Sequence, residues 1–168
     1  FLKFAGGLNP LIFYRKMKDV ALFAFSTSSS AATIPVTLKT VNQDLGVNQN
    51  VASFVVPVGA TINMDGTAIM QGLATVFIAQ MSGIDLTLFQ YVQVVLLAVA
   101  TSIGTAAVPS AGTITLIIIL QQFNLPLEAI GIILAVDRVL DMLRTSVNVT
   151  GDAAIACIVA KTENQLDE

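Results

Sequence analysis

Histidine is absent from this 168-residue chain, and Cys157 is its single cysteine. Those gaps exclude a disulfide framework, the usual Cys/His zinc sites and any imidazole proton shuttle. Charge is scarce as well: 11% of the residues are Asp, Glu, Lys or Arg, against about 25% in an ordinary soluble domain. The 8 Lys and Arg are scattered and the net charge is only -3, so no basic footprint for a phosphate backbone exists and nucleic acid is excluded as a partner. What remains is 55% hydrophobic, with a mean hydropathy of +0.81, a composition suited to a lipid bilayer. The chain opens on Phe1, with neither an initiating Met nor a signal-peptide pattern. It is therefore expected to be part of a longer protein, beginning in or just after a membrane segment.

Residues 86–127 carry no charged side chain, a run long enough on hydropathy for two membrane passes. Its middle, Ser102-Ile103-Gly104-Thr105-Ala106-Ala107-Val108-Pro109-Ser110-Ala111-Gly112, combines glycine, proline and hydroxyl residues that break a helix. Each flank is shorter than the ~20 residues of a span, so 86–120 is predicted to be a re-entrant helical hairpin, which a bilayer tolerates only where the tip lies against protein or water. Residues 20–40 repeat the pattern around Ser26 to Ser30, with Pro35 just past the tip. Longer apolar segments, 51–80 and 129–160, follow the two hairpins and are expected to span; residues 1–19 precede them. The prediction is an all-α membrane protein of two units. Ser28, Ile34, Pro35 and Asn63 recur at one constant offset as Ser102, Val108, Pro109 and Asp137. A hairpin plus one span crosses once, so the second unit is expected to be inverted relative to the first, as in many transporters. Basic residues Arg15, Lys16, Lys18, Lys39 and Lys161 then share one side, which the positive-inside rule makes cytoplasmic.

The last segment places Asp137, Asp141, Arg144, Asn148 and Asp152 within an arc of roughly 80° on one helix face. Each ionisable group costs about 2.5–3.5 kcal/mol at the bilayer centre on insertion scales, so this row is expected to line protein or a wet cavity. A purely structural ion-pair network is one reading. Against it, one guanidinium cannot neutralise three carboxylates, and unpaired buried carboxylates take up protons or cations. Arg138 lies off the row and is read as a separate pairing or interface residue. Arg144 offers a planar fork for a carboxylate, and Asp141, one turn away, suits an ammonium group; together they fit a zwitterion bearing an extra acid. In the 51–80 segment, Pro57 to Thr67 gathers Pro, Gly, Asn and Asp and is predicted to be unwound. Freed carbonyls with Asn63 and Asp65 would supply hard oxygens for an alkali cation.

Ser28-Ser29-Ser30-Ala31-Ala32-Thr33-Ile34-Pro35, Asn63-Met64-Asp65-Gly66-Thr67, the 102–112 loop and Asp141 to Asp152 together resemble the dicarboxylate/amino acid:cation symporter family of glutamate transporters. The likeness covers nearly the whole chain. It implies an elevator-type symporter of glutamate, aspartate or a C4-dicarboxylate, multi-pass in the cell membrane, with the two hairpins as gates. Substrate contacts carry over to Ser29 and Ser30 at the first tip, to Val108 and Gly112 at the second, and to Thr67, Asp141, Arg144, Thr145 and Asn148. In that scheme Arg144 takes the side-chain carboxylate, Asp141 the amino group and Asn148 the main carboxylate. One implied sodium site uses Gly59, Asn63, Asn148 and Asp152; a second uses Thr61, Ser102, Ile103 and Thr105. A third involves Asn63 and Asp65 and is expected to be incomplete, because it draws on an earlier helix of the family. No organic cofactor is implied. Family members commonly carry a further Arg at the position of Ser28 or of Met142, and this chain has it at neither, which bears on the coupling ion. The full-length parent is expected to be a homotrimer held by scaffold helices.

Other readings stand beside this one. An intramembrane aspartyl protease would use Asp65 and Asp152, but its Tyr-Asp and Gly-x-Gly-Asp motifs are absent. A channel also fits re-entrant loops, although it leaves the Asp141–Arg144 pair unexplained. Proton coupling in place of sodium, or a truncated product without activity, completes the list of alternatives.

Overall fold

The computed structural model describes residues 2–167, and these form seven α-helices. The first pair, α1 (Pro10–Thr27) and α2 (Ser30–Gln43), makes hairpin 1. It starts at Pro10 rather than near Val20, because the Asn9 side chain caps the Leu11 amide and proline suits the first turn. A broken element follows, α3 (Gln49–Ile62) and α4 (Asp65–Met81). Hairpin 2 consists of α5 (Leu88–Ile103), opened by a Thr87–Gln90 capping box, and α6 (Ala111–Gln122). After a 3₁₀ turn at Leu127–Ala129 comes α7 (Ile130–Thr162), 33 residues or about 50 Å of continuous helix.

The helices follow the order hairpin, broken element, hairpin, long helix. The residue correspondence expected between two units is not seen. Ser28 sits at a tip and its expected counterpart Ser102 in the last turn of α5; Pro35 lies inside α2 and Pro109 in a tip; Asn63 lies at a break and Asp137 in an unbroken helix. The unwinding foreseen for Pro57 to Thr67 shrinks to Asn63 and Met64, with Pro57 and Gly59 retained inside α3. Among the described residues no helix is long and apolar enough to cross a membrane. The break shortens α3 and α4, and α7 has the length but bears the polar row.

Two apolar cores sit end to end. One joins α1, α2 and α3 to the C-terminal half of α7 through Phe13, Met17, Val41, Val56 and Ala156. The other joins α4, α5 and α6 to its N-terminal half through Ile78, Ala98, Leu116, Ile119 and Ile133. Between them lies a polar layer in which Asp137, Asp141, Arg144, Asn148 and Asp152 are all buried. Outward faces are apolar instead, with Leu73, Phe77, Leu96, Ile114, Val139 and Leu143 exposed. At one end, Val47 pairs with Leu166 in an isolated antiparallel bridge, and Lys16 donates to the Asp44 carbonyl.

Candidate functional site

Serine makes both hairpin tips turn. Ser28 (φ 52) and Ser110 (φ 62) adopt left-handed backbone conformations, each costing an L-residue roughly 1–2 kcal/mol; strain of this kind gathers at functional sites. The tips meet. Ser29 Oγ donates to the Ala107 carbonyl at 2.9 Å, and the Ala31 amide donates to the same oxygen at 3.3 Å. Ser29 also caps α2 by accepting from the Ala32 amide at 3.2 Å. Ser29→Ala therefore removes a cap and a link between tips, an expected loss of about 1.5–3 kcal/mol. Thermal melting of the purified protein checks this, with Ser29→Thr expected to retain most of the stability.

Under the joined tips, Arg144 Nε donates to Asp141 Oδ1 at 2.7 Å, while the second oxygen of Asp141 accepts from the Ser110 amide at 2.7 Å. Arg144 Nη1 stands 3.8 Å from Asp137 Oδ1 and 3.5 Å from Thr113 Oγ1, and Thr113 in turn donates to Asp137. Arg144 Nη2 has no hydrogen-bond partner among the described residues. The ion-pair network is thus present without exhausting the guanidinium. One edge of the fork is left open beside a cleft with about 10 Å³ of free space, room for about one water and far below the roughly 300–1,000 Å³ of common ligand pockets. Admitting a ligand requires the tips to part.

The cleft collects Ser30, Thr67, Val108, Gly112, Asp141, Arg144, Thr145 and Asn148, all expected substrate residues. Asn148 Oδ1 accepts from the Gly66 amide at 2.8 Å, and its Nδ2 donates to Thr67 Oγ1 at 3.2 Å. Gly112 presses on the guanidinium so closely that a Cβ there would lie 2.8 Å from Arg144 Nη1. Ser29 does not line the cleft; its hydroxyl is engaged between the tips. Ser28 does line it, and its buried Oγ has no hydrogen-bond partner among the described residues.

Cation candidates fall into two groups. Asn63 Nδ2 donates to Asp152 Oδ1 at 3.0 Å, and Gly59 lies against that carboxylate, where a Cβ would come within 2.6 Å of Oδ1. Among the described residues Asp152 has no cationic partner, so its negative charge is left to a cation or a proton. Asn148 turns its amide toward Gly66 and Thr67, and Asp65 is exposed beside Gly151. The second set is looser: Thr61 and Ile103 are exposed, and the hydroxyls of Ser102 and Thr105 donate to the Val99 and Thr101 carbonyls of α5. No hydrogen bond among the described residues joins Thr61 to that arm.

Gln71, Thr113 and Ser28 belong to this layer and were not singled out as site residues from sequence. A signal existed for the first: Thr67, Gln71 and Thr75 recur every fourth residue of α4 and are all buried.

The sodium:dicarboxylate symporter family model matches residues 1–162. The chain is 48% identical to an excitatory amino acid transporter of Caenorhabditis elegans over 90% of this chain and 30% of that protein. Excitatory amino acid transporter 2 of Homo sapiens is 48% identical over 90% of this chain and 26% of its own length. Excitatory amino acid transporter 5 of Mus musculus is 45% identical, with 90% and 27% covered. The chain spans less than a third of the length of these relatives.

Proposed function

Because the chain belongs to the sodium:dicarboxylate symporter family, we propose that it is the ligand-carrying part of a secondary transporter moving an acidic amino acid or dicarboxylate together with sodium. The family and its named relatives are transporters rather than enzymes. One observation carries the reading: the two tips close over a buried Arg144–Asp141 pair whose guanidinium keeps an open Nη2 edge.

The ligand's side-chain carboxylate binds Arg144, its ammonium binds Asp141, and its main carboxylate reaches Asn148 and the polar tip at Ser29 and Ser30. Thr67, Thr145, Val108 and Gly112 complete the enclosure. Sodium at Gly59, Asn63, Asn148 and Asp152 neutralises the carboxylate that no arginine reaches. A second ion at Thr61, Ser102, Ile103 and Thr105 requires hairpin 2 to settle onto α3. Asn63 and Asp65 contribute to a third site only with groups from elsewhere in the parent. Linkage follows, since each ion ties down a segment that the ligand also needs ordered.

The inside-out surface, apolar outward and charged within, supports residence in a bilayer. In the cell membrane the hairpins serve as gates to opposite sides, hairpin 1 cytoplasmic and hairpin 2 external, within a multi-pass homotrimeric parent that moves this part by an elevator stroke. Lys16 and Lys161 border one cleft with 42–46, which agrees with a common cytoplasmic end.

Calorimetric titration of the purified intact protein with L-aspartate, L-glutamate and L-alanine, in sodium and in choline, is the test. Acidic ligands are expected to bind at least tenfold more tightly in sodium, and alanine weakly in both. Equal acidic affinity in the two salts would remove sodium from the scheme.

A further inference from the structure

Gln71 is a fully buried amide in the middle of α4. Its Nε2 donates to the Gly112 carbonyl at 3.0 Å and to Thr115 Oγ1 at 2.6 Å, both in the first turns of α6. Its Oε1 accepts from Thr101 Oγ1 at 2.9 Å, in the last turn of α5. The Thr105 and Thr115 hydroxyls lie 3.0 Å apart and close the ring between the two arms. One side chain therefore fastens both arms of hairpin 2, next to the tip, onto α4. Hairpin 1 is held differently, through Ser146 Oγ donating to the Ala21 carbonyl from α7.

We infer that Gln71 is the latch of hairpin 2: a positioning residue that sets how readily this hairpin lifts from the Arg144–Asp141 cleft, acting through Gly112 and the tip without touching the ligand. Describing hairpin 2 as a lid rests on the function proposed above, whereas the latch geometry stands without it. Among uncharged side chains, an amide supplies two donors and an acceptor at one point, matching two groups on α6 and one on α5. Hydrogen bonds also suit a closure that has to open. Each nets only a modest stabilisation because water replaces it on release, while apolar packing at the same place would have to be exposed outright.

Gln71→Leu is a fair probe, close in volume and lacking both polar ends. Thr101 and Thr115 keep carbonyl partners in their own helices, at Leu97 and Gly112, so neither hydroxyl is stranded. Hydrogen exchange of the intact protein in lipid nanodiscs, followed by mass spectrometry without ligand, reads lid opening directly. Amides of 101–115 are expected to exchange at least tenfold faster in Gln71→Leu, while those of hairpin 1 hold their wild-type rates. Thr101→Val should give a smaller effect on the same segment, and the double variant should match Gln71→Leu alone, because the Thr101 bond is already lost there. With L-aspartate added, protection of 101–115 should return only at a higher concentration than in wild type. Unchanged exchange at 101–115 in folded Gln71→Leu, or acceleration spread evenly over all helices, overturns the latch. If Gln71→Leu does not fold, Thr101→Val carries the test alone, and wild-type exchange there overturns it equally. A wild-type protein that ignores aspartate would defeat the proposed function and leave the exchange result in force.

Discussion

Arg144→Ala is expected to weaken binding of aspartate or glutamate by roughly 10²–10³-fold, about 2.7–4.1 kcal/mol. The figure follows from losing a forked pair of charge-assisted hydrogen bonds, each worth about 1.5–3 kcal/mol, less what water recovers. A second cost arises inside the protein. Arg144 is the basic group facing Asp137 and Asp141, and removing one member of a buried ion pair destabilises by about 3–5 kcal/mol. Stability and affinity must therefore be read separately. Arg144→Lys separates them, because it keeps the charge and loses the planar fork; it should fold yet bind acidic ligands at least tenfold less tightly. Calorimetry on both variants, with alanine as a neutral ligand, checks the assignment. A folded variant with undiminished acidic affinity would remove Arg144 from the ligand site.

Gly66→Ala should be the most damaging single methyl group in the chain. A Cβ at this position falls 2.5 Å from the Arg144 carbonyl oxygen and 2.8 Å from its Cα, and both are helix backbone that cannot swing aside. Relief requires α4 to move away from α7, with an overpacking cost of about 1–3 kcal/mol or somewhat more. The same shift stretches the 2.8 Å bond from the Gly66 amide to Asn148, so ligand affinity should fall together with thermal stability. Gly72→Ala is the matched control. It lies in the same helix, a Cβ there meets nothing within 4 Å, and the change should stabilise by about 0.5–1 kcal/mol. Melting curves of the two variants side by side decide the matter; equal midpoints would mean that α4 and α7 are not locked together at this contact.

Much of the architecture was legible because the chain announces its interruptions. A charge-free run broken by Gly104, Pro109 and Gly112 permits few outcomes other than two arms and a tip, and the spacing from Asp137 to Asp152 fixes one helix face whatever surrounds it. The start of α1 was hidden, since Arg15, Lys16, Lys18 and Asp19 depress hydropathy without opposing a helix. The extent of unwinding after Pro57 was overstated for a tertiary reason: α3 stays helical there, and its Gly59 is the residue that lets the Asp152 carboxylate approach. Gln71 and Thr113 take their meaning from partners 30 to 44 and 24 positions away along the chain, and local pattern cannot supply such partners. The residue-by-residue likeness of the two units failed for a related reason, since a constant offset ignores that the second tip is longer than the first.

If the two hairpins are gates, as proposed, their separate bedding bears on leakage. Hairpin 1 rests on one apolar core and hairpin 2 on the other, and among the described residues no buried one belongs to both. Raising either one would wet surface that the other does not use, so packing alone would set no penalty against both standing open and short-circuiting an ion gradient. Among the described residues, the direct hydrogen-bond tie between the tips is the Ala107 carbonyl, shared by Ser29 and Ala31. Mutual exclusion of the two openings would then rest on the charge and occupancy of the layer between them, where Arg144 is shared by Asp137 and Asp141 while Asp152, among the described residues, faces no cationic side chain.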